Sequence, residues 1–253
     1  MNIFVCAKQV PDDEAKIVFS EGKPYLEGIS RIVNAFDGYA VEMALQHCEN
    51  AGGEVSVLTL GEEKEVRASA VQLLAVGAKH AYIGKLPDKA DPSTTADALA
   101  ALIGELREEG NACDLILCGK ESTDEIGSQT GAMLAEKCGL PLVTSVVAFE
   151  ETPDGVKAKK ETEDGYEYYL VQTPAVFTIA KPDYDLRYPS IKSKMAARKA
   201  QIPVKDGIEA KASVFCKGYE EPAKRSAGIR IQEEEDVEAV KKAMDQLVAD
   251  KVL

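Results

Sequence analysis

The sequence contains no tryptophan, and aromatic residues make up only 6% of its 253 residues. Valine, leucine, isoleucine and alanine must therefore fill the core, and a hydrophobic content of 45% is enough for a large one. The length suits one large α/β domain, or one domain with an appendage. No apolar run is long enough to cross a bilayer, and the N-terminus shows no signal-peptide pattern. We expect a soluble, cytoplasmic protein.

Positive charge is also scarce, since 30 basic residues face 43 acidic ones and the net charge is −13. This balance argues against nucleic acid or an anionic membrane as the general partner. The cysteines are scattered without a CxxC pair, and the two histidines, His47 and His80, have no neighbouring ligand set. We expect reduced structural thiols and no metal site.

Sequence motifs of common enzyme classes are missing as well. There is no GxSxG, no HExxH, no GxxxxGK[ST] and no catalytic pairing of cysteine and histidine. We therefore assign no catalytic residue and expect a binding protein or a carrier subunit.

The first half of the chain alternates between strand and helix patterns. The apolar runs predict strands, and the 3.6-residue periodicity between them predicts helices. Such repeated β-α units predict a mostly parallel twisted sheet with helices on both faces. The predicted strands are Ile3–Ala7, Glu54–Leu60, Lys79–Ile83 and Asp114–Cys118, and the predicted helices are Asp37–Asn50, Glu62–Val76, residues 91 to about 109, and Ser128–Cys138.

The second half has a different character. Turn signals at Asp154-Gly155 and Asp164-Gly165 predict antiparallel strands, followed by a buried strand at Ala175–Ala180. From residue 181 to about 232 there is little periodicity, which is typical of an extended arm. The arm ends in a helix, Asp236–Ala249, whose apolar stripe either embraces another subunit or packs on its own domain. We divide the chain into an α/β domain, 1–183, and a loop with a C-terminal arm, 184–253.

The stretch from Gly119 to Gly131 is the strongest functional signal. A strand, a loop of small residues and a helix N-terminus in that order suit an anion such as a nucleotide phosphate. Glycine lets the backbone approach a ligand, and the side chains of Ser122, Thr123, Ser128, Gln129 and Thr130 can hydrogen-bond to it. The alternative is an ordinary strand-to-helix turn with Ser128 as its N-cap.

Other predicted strand ends fall at the same edge of the sheet, where parallel α/β proteins bind ligands. They are Ala7–Pro11, Leu60-Gly61 and Gly84. Asn34–Asp37 can fold over this rim, although Asp37 is also a natural N-cap for the helix that follows.

A basic segment, Tyr184–Lys199, stands out in the acidic chain. Five cations, Arg187, Lys192, Lys194, Arg198 and Lys199, surround the isolated aliphatic residue Ile191. This pattern suits docking onto a partner's pocket with an acidic rim, and a solvated surface helix is the alternative.

Five segments, in this order, resemble the β subunit of electron transfer flavoprotein. They cover nearly the full length and are Val5–Asp12, Val33–Glu42, Gly119–Gly131, Arg187–Ile191 and Glu221–Arg230. The resemblance implies an adenine-nucleotide hydrolase-like fold and a heterodimer with an α subunit that carries a redox-active FAD. It also implies a nucleotide in the β subunit, either AMP or, in the electron-bifurcating branch, the ADP part of a second FAD that accepts electrons from NADH.

The resemblance also implies the site residues. Cofactor contacts would be Ala7, Asn34, Leu60, Gly119, Ser122, Asp124, Gly127, Ser128, Gln129 and Thr130. A recognition loop with Arg187, Tyr188, Ile191, Lys192 and Met195 would bind a flavin-containing partner such as an acyl-CoA dehydrogenase, with Ile191 as the anchor.

The sequence departs from the family pattern in two places. In the nucleotide loop, Glu121 replaces glutamine, Ser122 replaces alanine, and Glu125-Ile126 replace Gly-Asp. Before the recognition loop, Asp183–Leu186 replaces the usual Asn-Glu-Pro. We expect an electron-carrier subunit that oxidises NADH only together with its α subunit and a dehydrogenase. The alternatives are a non-bifurcating AMP form and a stand-alone ATP- or AMP-binding stress module. An adenylate-forming enzyme ranks last, because no SGGxDS-type loop follows the first strand.

Overall fold

The structure, a computed structural model, describes residues 1–87, 90–207, 212–221, 223 and 227–252. The chain divides into two compact units. The first comprises Met1–Val18 and Pro24–Lys217, and the second comprises Phe19–Lys23 and Gly218–Leu253. Residues 184–217, which we grouped with the arm from the sequence, thus belong to the first unit.

The elements follow one another mostly as strand and helix. The helices are α1 (Ala35–Ala51), α2 (Glu63–Val76), α3 (Pro92–Glu108), α4 (Thr130–Cys138), α5 (Ile191–Ala197) and α6 (Asp236–Ala249). The strands are β1 (Asn2–Cys6), β2 (Gln9–Pro11), β3 (Val18–Ser20), β4 (Lys23–Tyr25), β5 (Arg31–Val33), β6 (Glu54–Leu60), β7 (His80–Gly84), β8 (Leu115–Gly119), β9 (Leu142–Thr152), β10 (Gly155–Thr162), β11 (Gly165–Val171), β12 (Ala175–Ile179) and β13 (Val204–Lys205).

A nine-stranded sheet organises the first unit. Its strand order is β11-β10-β9-β12-β8-β1-β6-β7-β13. The pairs from β9 to β13 along this order are parallel, whereas β10 pairs antiparallel with both β9 and β11. The predicted α/β class with a mostly parallel sheet is therefore confirmed.

Two hydrophobic clusters cover the two faces of the sheet, because side chains alternate along each strand. Ile3 and Val5 of β1 lie in the cluster that includes residues of α1 and α2. Phe4 and Cys6 lie in the cluster with residues of α3 and α4. The sheet is thus sandwiched between helices, and its strand ends are left open at the rim.

The chain between Lys181 and Lys205 is more regular than we expected. Residues 191–197 form α5, and β13 adds a parallel strand beside β7, with Val204 opposite Ile83. These two short elements interrupt a stretch that the sequence interprets as an extended arm, and the pairing of β13 with the sheet edge depends on a strand about 120 residues earlier in the sequence. The short pairs β2-β5 and β3-β4 were not predicted either. The segment 221–230 lies partly outside the described residues.

Helix α6 of the second unit forms where the sequence predicts it. None of its residues is buried, and its apolar stripe is exposed along its length. The exposed members are Val237, Val240, Met244, Leu247 and Val248. Among the described residues, no helix combines the length and apolarity that a bilayer crossing requires.

Candidate functional site

The topology creates a crevice between β1 and β8. From β1 the chain moves outward through β6 and β7, and then returns to place β8 on the other side of β1. The two strands are parallel neighbours with Cys6 opposite Cys118. In open α/β sheets, ligands bind at the carboxyl ends of the strands beside such a reversal of strand order.

A cleft of about 160 Å³ lies at this point. One wall is the predicted phosphate loop, and the other includes apolar side chains from β6 and the start of α3. Nine of the ten predicted cofactor residues line the cleft, namely Ala7, Asn34, Leu60, Gly119, Ser122, Gly127, Ser128, Gln129 and Thr130. The apolar wall, which includes Leu60, Leu86, Pro92 and Leu99, suits a planar base or ring.

The loop brings free donors to the cleft because α4 begins there. Gln129 occupies the cap position and makes no capping hydrogen bond with its side chain. The first backbone N–H groups of a helix have no partner within the helix, and they carry the positive end of its dipole. The hydroxyl groups of Ser122 and Thr130 belong to residues that line the same cleft. This donor set suits a phosphate.

Glycines allow close packing around the loop. A Cβ on Gly131 would lie 2.6 Å from Thr178 Cγ2, and a Cβ on Gly119 would lie 2.3 Å from Asp37 Oδ1. Gly127 differs, since nothing lies within 4 Å of the position of its missing Cβ. At Gly119 and Gly131 the glycine is required by packing, whereas at Gly127 it leaves space beside the cleft.

Asn34 holds the loop in place. This side chain is buried, its amide N–H donates to the Glu121 carbonyl at 2.8 Å, and its amide oxygen accepts from the Thr123 N–H at 3.1 Å. Asn34 lines the cleft as predicted, and its side chain hydrogen-bonds to the backbone of the loop across 87 to 89 residues of sequence.

Asp37 is not the N-cap of α1, as we expected from the sequence. The helix begins earlier, with Asn34 at the cap position, and Asp37 lies buried in the first turn. Its carboxylate accepts from the N–H groups of Lys8 at 2.7 Å and Gly119 at 3.0 Å. Asp37 therefore ties together the ends of β1 and β8 at the base of the cleft.

The protonation of Asp37 reflects its burial. Burial raises the pKa of the Asp37 carboxyl to about 7, although hydrogen bonds from Lys8, Asn34 and Gly119 act in the opposite direction. The ionised form loses hydration in the interior, and the N–H donors recover only part of it. Its charge therefore changes within the physiological range.

The one predicted cofactor residue that does not line the cleft is Asp124. It binds the Lys8 ammonium group at 2.9 Å, and Glu125 approaches the same ammonium group at 3.3 Å. The Lys8 ammonium group also donates to Ser122 Oγ at 3.4 Å. Two carboxylates of the loop, Asp124 and Glu125, therefore form ion pairs with Lys8, which follows β1.

Ser128 is not the N-cap of α4, so the alternative interpretation of the loop as an ordinary turn does not hold at this position. Its backbone has a left-handed φ of 51°, and its hydroxyl donates to a Glu121 carboxylate oxygen at 2.7 Å. The cap position falls on the next residue, Gln129. The loop is therefore more than an ordinary turn into a helix.

The sequence analysis missed two groups that line the cleft. Cys6 and Cys118 end adjacent strands, and both were interpreted only as structural thiols. The second group comes from α3 and comprises Pro92, Thr95 and Leu99. The position of α3 depends on hydrogen bonds between Asp91 and the distant residues Ser213 and Val214. A search for the residues that end each predicted strand would have found the cysteines.

Asp91 fixes the start of α3. One carboxylate oxygen accepts from the Thr94 N–H and hydroxyl, both at 2.7 Å. The other accepts from the backbone N–H groups of Ser213 at 2.8 Å and Val214 at 3.0 Å. The hydrogen bonds from Thr94, with smaller contributions from Val214 and Ser213, lower the pKa of the Asp91 carboxyl. Asp91 therefore joins the wall of the cleft to the chain near residue 214.

The predicted partner-binding residues fall into two groups. Arg187 turns inward, donating to Glu42 through Nε at 2.7 Å and Nη2 at 3.0 Å, and to Glu49 as well. Burial opposes ionisation of Glu42, but the hydrogen bonds from Arg187 and Gln46 outweigh it, and the pKa of Glu42 is lowered. Arg187 thus attaches the basic segment Tyr184–Lys199, the predicted recognition segment, to α1.

The other four predicted partner-binding residues face solvent. Tyr188 is 96% exposed and Ile191 is 81% exposed, and Lys192 and Met195 on α5 are exposed as well. Ile191 and Met195 are four residues apart on α5 and therefore share a face. Exposed apolar side chains among cations are typical of a protein-binding surface.

Comparison with known proteins gives a consistent family result. The family model described as the electron transfer flavoprotein domain matches residues 26–209. An electron transfer flavoprotein subunit beta from Syntrophomonas wolfei subsp. wolfei is 33% identical over 244 residues, covering 96% of this chain and 94% of that protein. The caffeyl-CoA reductase-Etf complex subunit CarD of Acetobacterium woodii is 36% identical over 210 residues, covering 81% of this chain and 78% of its own. The acryloyl-CoA reductase electron transfer subunit gamma of Anaerotignum propionicum is 30% identical over 181 residues, covering 70% of this chain and 67% of that protein.

Proposed function

This chain belongs to the electron transfer flavoprotein family, and on that premise we propose that it is a β-type subunit that binds an adenosine phosphate between β1 and β8. The observation that carries the proposal is the cleft itself. It joins an apolar wall to a loop with hydroxyl groups, an uncapped helix N-terminus and space at Gly127. An adenosine phosphate has the matching distribution of an apolar ring and an anionic tail.

The residues present fit this group in three respects. Backbone N–H groups at the start of α4 would hold the phosphate, with Lys8 and Lys120 as the cations that line the cleft. Leu60 and Leu99 would contact the base. Asn34 and Asp37 would keep the loop and strand ends in position through the hydrogen bonds described above.

We propose that the ligand is the ADP part of FAD, with AMP as the alternative. The flavin of bound FAD would supply redox chemistry, whereas AMP would supply none, and the protein would bind and orient either one. The divergent loop supports FAD, as does similarity to subunits whose names place them with acyl-CoA-type reductases. When bound, the flavin would supply the chemistry for NADH oxidation and for electron bifurcation in the assembled complex, and the residues of this chain would hold and orient it.

The proposed partners are an α subunit with its own FAD and a flavin-containing dehydrogenase such as an acyl-CoA dehydrogenase. The unburied apolar stripe of α6 supports association with another subunit. The exposed segment from Tyr188 to Met195 supports docking of the dehydrogenase. Cys6, Cys48, Cys113, Cys118 and Cys138 are thiols, which suits the reducing, cytoplasmic location we propose.

Cofactor analysis of the assembled complex tests the proposal. The full chain is co-expressed with an α-type subunit, and the released nucleotides are quantified together with the visible spectrum. Two flavins for each heterodimer support the FAD form, and one flavin with one AMP supports the alternative. A colourless homodimer that binds ATP would instead indicate a stand-alone nucleotide-binding module.

A matched glycine pair locates the site. Gly127→Ala places a methyl group in the space beside the cleft, and we expect nucleotide affinity to fall about tenfold because the backbone can no longer approach the ligand closely. Gly104→Ala on α3 also has nothing within 4 Å and does not line the cleft. Equal affinities for the two variants would contradict the proposed position of the nucleotide.

A further inference from the structure

Cys6 and Cys118 face each other across two adjacent strands. They are register partners in the parallel pair β1-β8, and both belong to the hydrophobic cluster on the α3-α4 face. Neighbouring strands lie about 4.8 Å apart. That spacing falls within the range of about 4.4–6.8 Å that separates the Cα atoms of a disulfide. The spacing of the two strands therefore permits a disulfide between the two residues.

Both thiols are reached through the cleft. Cys6 is 7% exposed and Cys118 is 6% exposed, and both line the cleft between β1 and β8. The Cys118 side chain also lies beneath the start of α4, where a Cβ on Gly131 would be 3.8 Å from its sulfur. A nucleotide in the cleft would cover them.

We propose that Cys6 and Cys118 form a modification site that a low-molecular-weight disulfide oxidises to a disulfide between β1 and β8, and that this bond and a bound nucleotide exclude one another. The second half of the inference rests on the proposed function. The first half depends only on the position of the two thiols.

The exchange balances without a further reagent. The Cys118 thiolate attacks one sulfur of the small disulfide, forms a mixed disulfide and releases one small thiol. The Cys6 thiolate then attacks the Cys118 sulfur and releases the second small thiol. Two electrons pass to the reagent, and the two cysteine protons end on the released thiols.

The order of the steps follows from the environment of Cys6. Hydrogen bonding to Cys118, and then burial, raise the pKa of the Cys6 thiol well above its ordinary value. Because the thiolate is the nucleophile, the raised pKa slows attack by Cys6, and its attack accelerates as the pH rises. Once Cys118 is a mixed disulfide, its S–H group no longer interacts with Cys6.

The disulfide would change the shape of the cleft. Its Cβ atoms must come to about 3.5–4.5 Å from each other, which draws together the ends of β1 and β8. These are the ends that Asp37 holds through the Lys8 and Gly119 N–H groups. A narrower crevice binds the nucleotide less well, and by thermodynamic reciprocity the nucleotide opposes the disulfide.

The test uses the reduced full chain, oxidised glutathione and AMP. Peptide mass spectrometry follows the Cys6–Cys118 cross-link with and without saturating AMP, and calorimetry gives the AMP affinity of the reduced and oxidised chains. We expect the cross-link to form, AMP to slow it at least tenfold, and oxidation to weaken AMP binding by a similar factor.

Cysteine variants distinguish the Cys6–Cys118 disulfide from oxidation at other cysteines. Cys118→Ser, compared with its own reduced form, should lose the effect of glutathione on affinity. Cys6→Ser should stop at a mixed disulfide between Cys118 and glutathione, which a small thiol releases and which peptide mass spectrometry distinguishes from the Cys6–Cys118 cross-link. Cys48→Ser should retain the effect of glutathione on affinity, because Cys48 lies on α1 beside the Met1 carbonyl and away from the cleft lining.

The two proposals fail in different ways. If the cross-link does not form while the reduced chain binds AMP normally, the inference is overturned and the proposed function stands. If the cross-link forms but neither AMP nor FAD binds the reduced chain, the proposed function and the exclusion both fail. A cross-linked chain that binds AMP as tightly as the reduced chain also overturns the exclusion.

Discussion

The cleft differs from the recognition segment, Tyr184–Lys199, and from α6 in whether its side chains find partners within the chain. Around the cleft, buried polar groups are satisfied within the chain, as Asn34, Asp37 and Asp91 show. On the recognition segment, Tyr188 and Ile191 project into solvent. Helix α6, considered by itself, leaves its whole apolar stripe exposed.

Under the proposed function, the two regions bind different kinds of ligand. A small anion binds best where donors are already fixed in direction, since little ordering remains at the moment of binding. A protein surface gains its energy from apolar anchors that are desolvated only in the complex. Substitutions of the buried polar groups around the cleft should therefore change stability, and substitutions of the exposed apolar anchors should change association alone.

The largest effect we expect is the pH dependence due to Asp37. Its pKa in the folded chain is about 7, above the ordinary value of 3.8. Between these values the folded state binds more protons, so Asp37 contributes stability that is present below about pH 4 and is lost as the pH rises to 7. The contribution changes by about 1.4 kcal/mol per pH unit within the window. Urea unfolding of the chain and of Asp37→Asn across pH 4–8 measures it.

The relevant quantity is the slope of the unfolding free energy against pH, compared between the unsubstituted chain and Asp37→Asn. Glu42 and Glu49 have lowered pKa values, so their contribution is lost as the pH falls and partly offsets Asp37. Both proteins share this offset. Asp37→Asn should have a flatter profile, because the amide does not titrate, and parallel profiles would show that Asp37 remains ionised throughout.

Gly119→Ala should have the next largest effect. The added Cβ would lie 2.3 Å from Asp37 Oδ1 and 2.8 Å from Phe36 Cβ, so the start of α1 must move. Overpacking of this kind costs about 1–3 kcal/mol. Denaturant unfolding gives the loss directly. Gly127→Ala is the control within the same loop, and an equal loss there would mean that the contact with Asp37 is unimportant.

Arg187→Ala should cost about 2 kcal/mol, because it leaves the buried Glu42 carboxylate without its cationic hydrogen-bond donor. The unfolding free energy should fall, and association with a dehydrogenase should weaken because the segment loses its attachment to α1. Glu49→Gln removes only the more exposed half of the pair and should cost less. A stable Arg187→Ala chain with weakened docking would place Arg187 in the interface instead.

Ile191→Ser should have the smallest effect on the isolated chain, within about 0.5 kcal/mol of the parent, because the side chain is exposed. Binding to the dehydrogenase partner should weaken about tenfold or more through the loss of an apolar anchor. Lys199→Ser, at another exposed position of the basic segment, is the control. Unchanged binding by Ile191→Ser would remove Ile191 from the interface.

Much of the fold could be predicted from local pattern. The alternation along Glu54–Leu60 gives β6 its bounds, and Asp91 followed by Pro92 marks the start of α3. The glycine-containing loop before α4 gave the position of the cleft. These features are local, because strand alternation and helix caps depend on residues a few positions apart.

The features that the sequence analysis missed or misassigned depend on distant partners. Asp37 has the chemistry of an N-cap, but the N–H groups of Lys8 and Gly119 lie 29 and 82 residues away in sequence. Strand β13 has only two residues, and its existence depends on the free edge of β7. Cys6 and Cys118 become neighbours only once the strand order is known.

The shared carboxylate of Asp91 has a mechanical consequence. It holds the first turn of α3 with one oxygen and the backbone at residues 213–214 with the other. A displacement of the backbone at residues 213–214 would therefore be transmitted to the first turn of α3, the helix that carries Pro92, Thr95 and Leu99. A partner that binds this stretch would act on the wall of the cleft through the Asp91 carboxylate.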